Sequence, residues 1–368
     1  MSRSSSRWGG WGSLWRSSVL VALTAPSLSS QTVTGQVVQA VTGVPVGEGF
    51  VVLLDERDRE VARSLTSTDG RFLLRAPAPG TYRLRSERIG YVAFVSPPIA
   101  LAQGQTVTHR LVITAVGVEL TPVVIAGRSR CRTRPDREQA TSAVWEEVRK
   151  ALAAAVWMAS HPAYRFRAVA YRRVWDAGRV RAALEITDTL DGYWRAPWAS
   201  RPAAELAEHG YIVAERDSTA YYGPDAQVLQ NDAFLASHCF KLVRRRSAGQ
   251  EQVGLSFEPE PGRRLPDVRG VLWLDARTAE LRTLEFSYTD VPEGVEDERV
   301  GGTIVFLRLP SGAWIVQRWE IRMPRIGLET FTPPGGRPER RVRLLGFRDG
   351  GGEVLEIRTA DGTVVYPP

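Results

Sequence analysis

Histidine is scarce in this chain of 368 residues, and its surroundings exclude one class of chemistry at once. The four histidines are His109, His161, His209 and His238, and none has a glutamate three residues later. A His-x-x-Glu zinc pair of the hydrolytic kind is therefore absent. Also missing are the Gly-x-Ser-x-Gly elbow, the phosphate loop and the dinucleotide fingerprint, three common signatures of catalysis and nucleotide binding. No apolar run approaches the ~18 residues that a membrane-spanning helix needs. Lysine is nearly missing too. Of 48 basic residues only Lys150 and Lys241 are lysine, a bias that reflects the base composition of a genome rather than function. No cofactor and no metal is expected.

The chain begins with a stretch ordered basic, apolar, small. Arg3, Arg7 and Arg16 lie among Trp8, Trp11 and Trp15; Val19-Leu20-Val21-Ala22-Leu23 comes next, then Ser27-Leu28-Ser29-Ser30. Residues 1–30 read as a signal peptide, with no cysteine behind it for a lipoprotein anchor. The expectation is an exported bacterial protein of the periplasm or outer-membrane periphery, or a secreted one, with no transmembrane span in the mature chain. The formal charge of +7 falls to +4 once the three leader arginines are removed. The other arginines are spread along strands beside Glu or Asp, which argues against a nucleic-acid partner. Cys131 and Cys239 are the only cysteines. In an oxidising compartment they suggest a disulfide, and a loop of about a hundred residues closed this way is worth roughly 4–5 kcal/mol. Two separate buried thiols are the alternative.

Residues 32–118 alternate in short strands with turn signals between them. Strands are expected at 32–40, 50–54, 60–65, 71–75 and 81–88. Thr42-Gly43-Val44-Pro45, Asp55-Glu56-Arg57-Asp58, Thr68-Asp69-Gly70 and Pro77-Ala78-Pro79-Gly80 separate them. Punctuation every eight to twelve residues argues for a β-sandwich. Gly35-Gln36-Val37-Val38, Pro45-Val46-Gly47-Glu48-Gly49, Thr68-Asp69-Gly70-Arg71-Phe72, Pro79-Gly80-Thr81-Tyr82-Arg83-Leu84 and Ile89-Gly90-Tyr91 occur in that order. The series resembles the carboxypeptidase regulatory-like domain. That resemblance implies a prealbumin-like sandwich of seven or so strands without the enzyme. Such modules serve as folding aids or contact sugars, proteins or neighbouring domains. The segment 117–125 resembles the stretch directly after this domain in outer-membrane receptors, whose large barrel would need more residues than remain.

Residues 119–160 read as a linker and an amphipathic helix. Ser142 is a fair N-cap, and Trp145, Val148, Leu152, Val156 and Ala159 recur at helical spacing. The stripe is expected to pack on the C-terminal region; a membrane-surface or partner helix is the sharper reading.

Residues 161–368 read as an antiparallel β domain with a few helices. A hairpin is expected over 164–175 and 179–186, turning at Asp176-Ala177-Gly178, then helices over 202–209 and 224–237. Strands are expected at 240–246, 252–258, 268–274, 281–289, 302–309, 313–323, 339–348, 353–359 and 363–366. Most connections are short, and so long a meander must curl or close. Gly270-Val271-Leu272-Trp273-Leu274-Asp275-Ala276-Arg277-Thr278-Ala279-Glu280-Leu281 resembles a hairpin of the half-barrels that carry lipoproteins through the periplasm. That likeness implies a curled sheet around a helix with room for acyl chains.

Several groupings are weighed against plainer meanings. His238 and Cys239 are adjacent on a strand and point to opposite faces, so they make no nucleophile–base pair. The acidic stretch Asp290, Glu293, Glu296, Asp297 and Glu298 reads as a solvated loop before it reads as a calcium site. Tyr193, Trp194, Trp198, Tyr221 and Tyr222 either contact a ligand or fill the core. The expected function is non-catalytic binding or scaffolding at the bacterial envelope. The sandwich would contact a carbohydrate or a protein, and the curled sheet would hold a lipid or other apolar ligand. The alternative is a hydrolase whose active site in the C-terminal domain goes unrecognised.

Overall fold

The structure is a computed structural model, and it describes residues 31–114, 139–161, 163–179, 181–193, 195–214, 219–247, 249–291, 300–332 and 334–367. The expected signal peptide and most of the linker lie outside the described residues. The protein is mainly β, as its patterning predicts.

Eight strands build the N-terminal sandwich: β1 (Gln31–Gln39), β2 (Phe50–Leu54), β3 (Glu60–Leu65), β4 (Arg71–Ala76), β5 (Gly80–Glu87), β6 (Phe94–Val95), β7 (Ile99–Leu101) and β8 (Thr106–Ile113). One sheet runs β4-β1-β8; the other runs β3-β2-β5, with β6 and β7 both paired to β5. β6 and β7 are in effect one edge strand broken at Pro97-Pro98, where no N–H can pair, so the expected count of seven holds. β4 shows the period of two: Phe72, Leu74 and Ala76 are buried while Arg71, Leu73 and Arg75 are exposed. They meet Val33, Val37, Val51, Leu53, Leu84 and Leu111 in the sandwich core. Gly70 takes φ +76° at the expected turn, and a Cβ there would strike the Val37 carbonyl.

The rest begins with α1 (Gln139–Ser160), β9 (Tyr164–Asp176), β10 (Leu184–Tyr193), α2 (Ala203–His209), β11 (Ile212–Ala214), β12 (Thr219–Tyr221), α3 (Ala226–Leu229) and α4 (Asp232–Ser237). The large meander then runs through β13 (His238–Ser247), β14 (Gln250–Pro259), β15 (Val268–Asp275), β16 (Leu281–Tyr288), β17 (Gly301–Arg308), β18 (Trp314–Phe331), β19 (Glu339–Thr359) and β20 (Val364–Tyr366). Their order is β10-β9-β19-β18-β17-β16-β15-β14-β13, with β20 on β19. Every pair in this sheet is antiparallel, and the sheet does not close into a barrel. One face is covered by helices. α1 lies across β13, β14, β16 and β18. The core between them holds Val148, Leu152, Phe240, Leu255, Phe257, Leu272, Leu284, Phe286, Ile304 and Trp314.

Four local expectations need correction. α1 is already helical at Gln139, so Ser142 sits inside it and is not its N-cap. The return strand after Gly178 starts at Leu184 rather than at 179, because the Ala183 N–H pairs with the Val174 carbonyl and sets a longer loop. The single helix expected over 224–237 is two, since the Asn231 side chain accepts from the Ala233 N–H and starts α4 afresh. Residues 349–352 are not a turn: β19 runs through them. Gly351 and Gly352 lie under the Tyr171 and Trp319 rings, where a Cβ has no room.

Candidate functional site

The helix-covered face of the sheet carries a partly open apolar pocket of about 130 Å³. Ala155, Val156 and Ala159 of α1 form one wall. Leu284, Ile304, Phe306 and Trp314 of the sheet form the floor, and Pro197, Trp198 and Ser200 with α3 close the far side. Small residues at 155 and 159 leave the gap on the helix surface. The closing segment is held by Asp225. One carboxylate oxygen caps α3 by accepting from the Val228 N–H at 2.9 Å; the other accepts from the Ser200 N–H at 2.8 Å. Several polar atoms on this side are buried without a hydrogen-bond partner among the described residues: Trp198 Nε1, Ser200 Oγ, Tyr221 Oη and Tyr288 Oη. Burial raises the Tyr288 phenol well above its ordinary range and pushes Tyr221 up to about 12.

The opposite face carries an open polar groove of about 670 Å³. Strand register sets its side chains in rungs. Arg269, Ser287, Gly301, Arg322, Asp349, Arg173 and Glu185 succeed one another across seven strands. Arg322 grips Asp349 with two bonds of 2.7 and 2.9 Å. Arg245 lies 4.0 Å over the Trp273 ring and bonds Glu285 at 2.7 Å. Burial, then the Glu320 carboxylate, holds the Tyr171 phenol above its usual range. These charged groups already satisfy one another.

Ser237, His238 and Asp267 form a grouping that sequence reasoning missed. His238 Nδ1 is 3.1 Å from Ser237 Oγ, and Nε2 is 3.2 Å from Asp267. Its surroundings make it a structural tie rather than a charge-transfer chain. The imidazole is almost fully buried, stacked on Phe234 and edge-on to Phe257. Its nitrogens also face the Phe234 and Val268 carbonyls at 3.0 and 3.1 Å. The Ser237 hydroxyl donates back into α4 toward Ala233 and Phe234. Asp267 receives Arg263 and the Val268 N–H. Among the described residues, no three His, Cys, Asp or Glu side chains gather as a metal site.

The sandwich docks on α1 through a buried ionic layer. Glu87, 3% exposed, receives Arg63 at 3.1 Å, Arg85 at 2.7 Å and Arg149 of α1 at 2.8 Å. Burial pushes its carboxyl up, but the three guanidiniums outweigh that and hold it below the ordinary range. The next residue on α1, Lys150, donates to the Arg88 and Tyr91 carbonyls at 3.1 and 2.7 Å and to Glu147 at 2.6 Å. Glu147 also accepts from the Gly90 N–H at 2.7 Å. Here burial wins over Lys150, and the Glu147 carboxyl stands above its ordinary range. Phe50 packs edge-on to Trp157 at 5.3 Å between centroids, which explains why β2 is buried on both faces. Arg308 of β17 adds a strut to Glu48 at 2.8 Å. The helix expected to bury one stripe is thus gripped from two sides.

The family model for the carboxypeptidase regulatory-like domain matches residues 32–114, the two small sheets of the sandwich. The sandwich is a carboxypeptidase regulatory-like domain. Among curated proteins nothing matches the chain. Three solved structures give distant likenesses. The minor pilin GBS52 of Streptococcus agalactiae is 15% identical, over 27% of this chain and 49% of that one, at a TM-score of 0.20. The chain thus spans about half the length of that pilin. A DUF1329 family protein from Desulfovibrio piger is 11% identical over 59% and 94%, at 0.26. A protein described as carbohydrate-binding from Bacteroides uniformis is 8% identical over 66% and 98%, at 0.20. None of these scores reaches the level at which two chains share a fold.

The regulatory-like domain contributes none of the expected ligand aromatics, and the structure divides those it describes. Trp198 lines the apolar cavity. Tyr221 meets Tyr288 edge-on at 5.4 Å, and Tyr222 lies under Arg201; both pack against the main core. Tyr193 is 54% exposed at the end of β10 beside Arg165, so it does not join them. Trp194 lies outside the described residues, as do Cys131, Glu293, Glu296, Asp297 and Glu298. Cys239 lies buried at the start of β13. Asp55, at a hairpin tip of the regulatory-like domain, accepts from the Arg57 and Arg59 N–H groups and serves the turn alone. Sequence reasoning missed the ionic layer. Its one signal was Lys150, a lysine kept on a helix in a chain that uses arginine almost everywhere else. Among the described residues no helix is long and apolar enough to cross a membrane, which says nothing of strands.

Proposed function

We propose that the chain is an exported, non-catalytic binding protein of the bacterial envelope. The curled sheet holds an apolar ligand between α1 and its helix-covered face. The regulatory-like domain, docked on α1, contacts a carbohydrate or a protein partner. The observation that carries this reading is the partly open apolar pocket. Its floor is sheet and its wall is helix, the place where a half-barrel carrier would keep an acyl chain. The division into a sandwich over 32–118, a linker and helix over 119–160 and a β domain over 161–368 is part of this reading: the sandwich has an apolar core of its own, while α1 shares the core of the β domain. A hydrolase in the C-terminal part is the competing reading. Its best candidate, Ser237 with His238 and Asp267, has its imidazole sealed from substrate.

The test is extraction of small molecules from the purified mature protein, read by mass spectrometry. An apolar compound should accompany the wild type and be lost from Ala155→Phe, which fills the cavity from α1. Absence of any such compound, together with hydrolytic turnover that survives purification, would reverse the ranking. Export carries its own check. Peptide mapping of protein secreted without reductant should recover Cys131 and Cys239 in one disulfide-linked pair. Two alkylatable thiols would remove the bridge and weaken the case for an oxidising compartment.

A further inference from the structure

The large sheet ends in two strands of equal length and opposite charge. β10 and β13 each run for 10 residues, and no other described strand pairs with the outer side of either. The charged residues of β10 are all acids: Glu185, Asp188 and Asp191. Those of β13 are all basic: Lys241, Arg244, Arg245 and Arg246. Charges on an edge strand normally keep a second edge away. Here each edge repels its own copy and attracts the other. Their directions agree too. Neighbours in this sheet are antiparallel throughout, and β10 and β13 are the first and last of nine consecutive strands, so the two run the same way. A second copy in the same orientation therefore sets its β13 parallel to β10.

We propose that the chain assembles head to tail, with β10 of one copy pairing with β13 of the next so that the sheet continues across the joint. One register satisfies the side chains. It sets Glu185 beside Lys241, Asp188 beside Arg244 and Ile186 beside Leu242 of the neighbouring copy, because acid and base recur at the same spacing of three on the two strands. The faces match as well. Leu190 lies opposite Ala168, a core residue, and Phe240 belongs to the core too, so even-numbered residues of both strands look toward the helix-covered side. These groups are accessible: Glu185, Ile186, Asp188, Lys241 and Arg244 are exposed, and Leu242 is half-buried. Asp188 and Arg244 have no ion pair among the described residues, while Glu185 and Lys241 hold only surface pairs with Arg173 and Glu258. Such a joint is heterologous. Assembly gives a ring if the rotation per copy closes and a filament if it does not.

Sedimentation velocity on the full mature chain reads the assembly. Wild type should form species larger than a dimer as its concentration rises, and added salt should weaken them. Asp188→Arg and Arg244→Glu each set like charges against one another at the joint, and each alone should weaken association about tenfold or more. Mixing the two variants should bring association back to within about threefold of wild type, because every joint between unlike copies again sets an arginine against an acid. Both side chains are exposed, and unchanged near-UV circular dichroism in each variant excludes misfolding as the cause. Wild type that stays monomeric up to the millimolar range overturns the proposal. So does a dimer that grows no further, or a mixture that associates no better than either variant alone.

Discussion

Replacing Lys150 with methionine is expected to lower the unfolding free energy by about 3–5 kcal/mol at neutral pH, because it strands a buried carboxylate. Lys150 is 4% exposed and Glu147 1% exposed, so water cannot take over the lost partner. The same change leaves the Arg88 and Tyr91 carbonyls without their donor. Lys150→Arg should fail as well. Three acceptors converge on one slender ammonium, and a planar guanidinium does not fit where they meet. The pH dependence separates this account from simple loss of packing. Without Lys150, only the Gly90 N–H still opposes burial at Glu147, and its carboxyl rises further. A carboxyl raised in the folded state contributes stability below its unfolded value and loses it as pH rises through the folded one. The deficit of Lys150→Met should therefore shrink in acid and grow toward neutral pH. Glu87 runs the other way, since its lowered carboxyl loses stability as pH falls, but it does so equally in both proteins. Urea midpoints across pH 4 to 8 give the comparison. A deficit that is constant with pH would remove the ionic role assigned to Lys150.

The parts of this molecule that were legible in its sequence are those set by local period and punctuation. β2 and β3 begin and end where alternation and the Asp55 to Asp58 turn place them, and α2 stops at Gly210, with φ +84°. The strand-and-turn series of the sandwich was legible for the same reason, and the family match confirms it. The rest was not legible because it depends on residues distant in the chain. Glu87 and Arg149 are 62 residues apart, and Glu48 and Arg308 are 260 apart; no period links them. α1 shows the limit most clearly. Its apolar stripe announced one packing face, but nothing in the local period marks Glu147, Arg149 and Lys150 as residues that the sandwich covers. The cavity was half legible. Trp198 was singled out as an aromatic, whereas the walls are alanines and aliphatic residues that look like any core.

The glycines of β19 give the second large effect and decide between two meanings of one motif. Asp349-Gly350-Gly351-Gly352 reads as a turn in sequence, yet it forms continuous strand between β18 and β9. In the strand the three glycines are not equivalent. A Cβ on Gly352 would collide with the Trp319 ring and with the Val169 carbonyl; one on Gly350 meets nothing within 4 Å. Gly352→Val must therefore expel Trp319, which is only 9% exposed. The loss should approach that of truncating a buried tryptophan, about 3–5 kcal/mol. The Val169 carbonyl cannot yield without giving up its ladder bond, so relaxation of the side chain alone will not rescue the variant. Gly350→Val should be neutral or stabilising by up to about 1 kcal/mol, because a β-branched residue suits an open strand position. A turn would reverse that outcome, since glycine freedom would then matter most at the central positions. Denaturant midpoints of the two variants settle it: equal losses at both sites would mean that β19 is two strands joined by a turn.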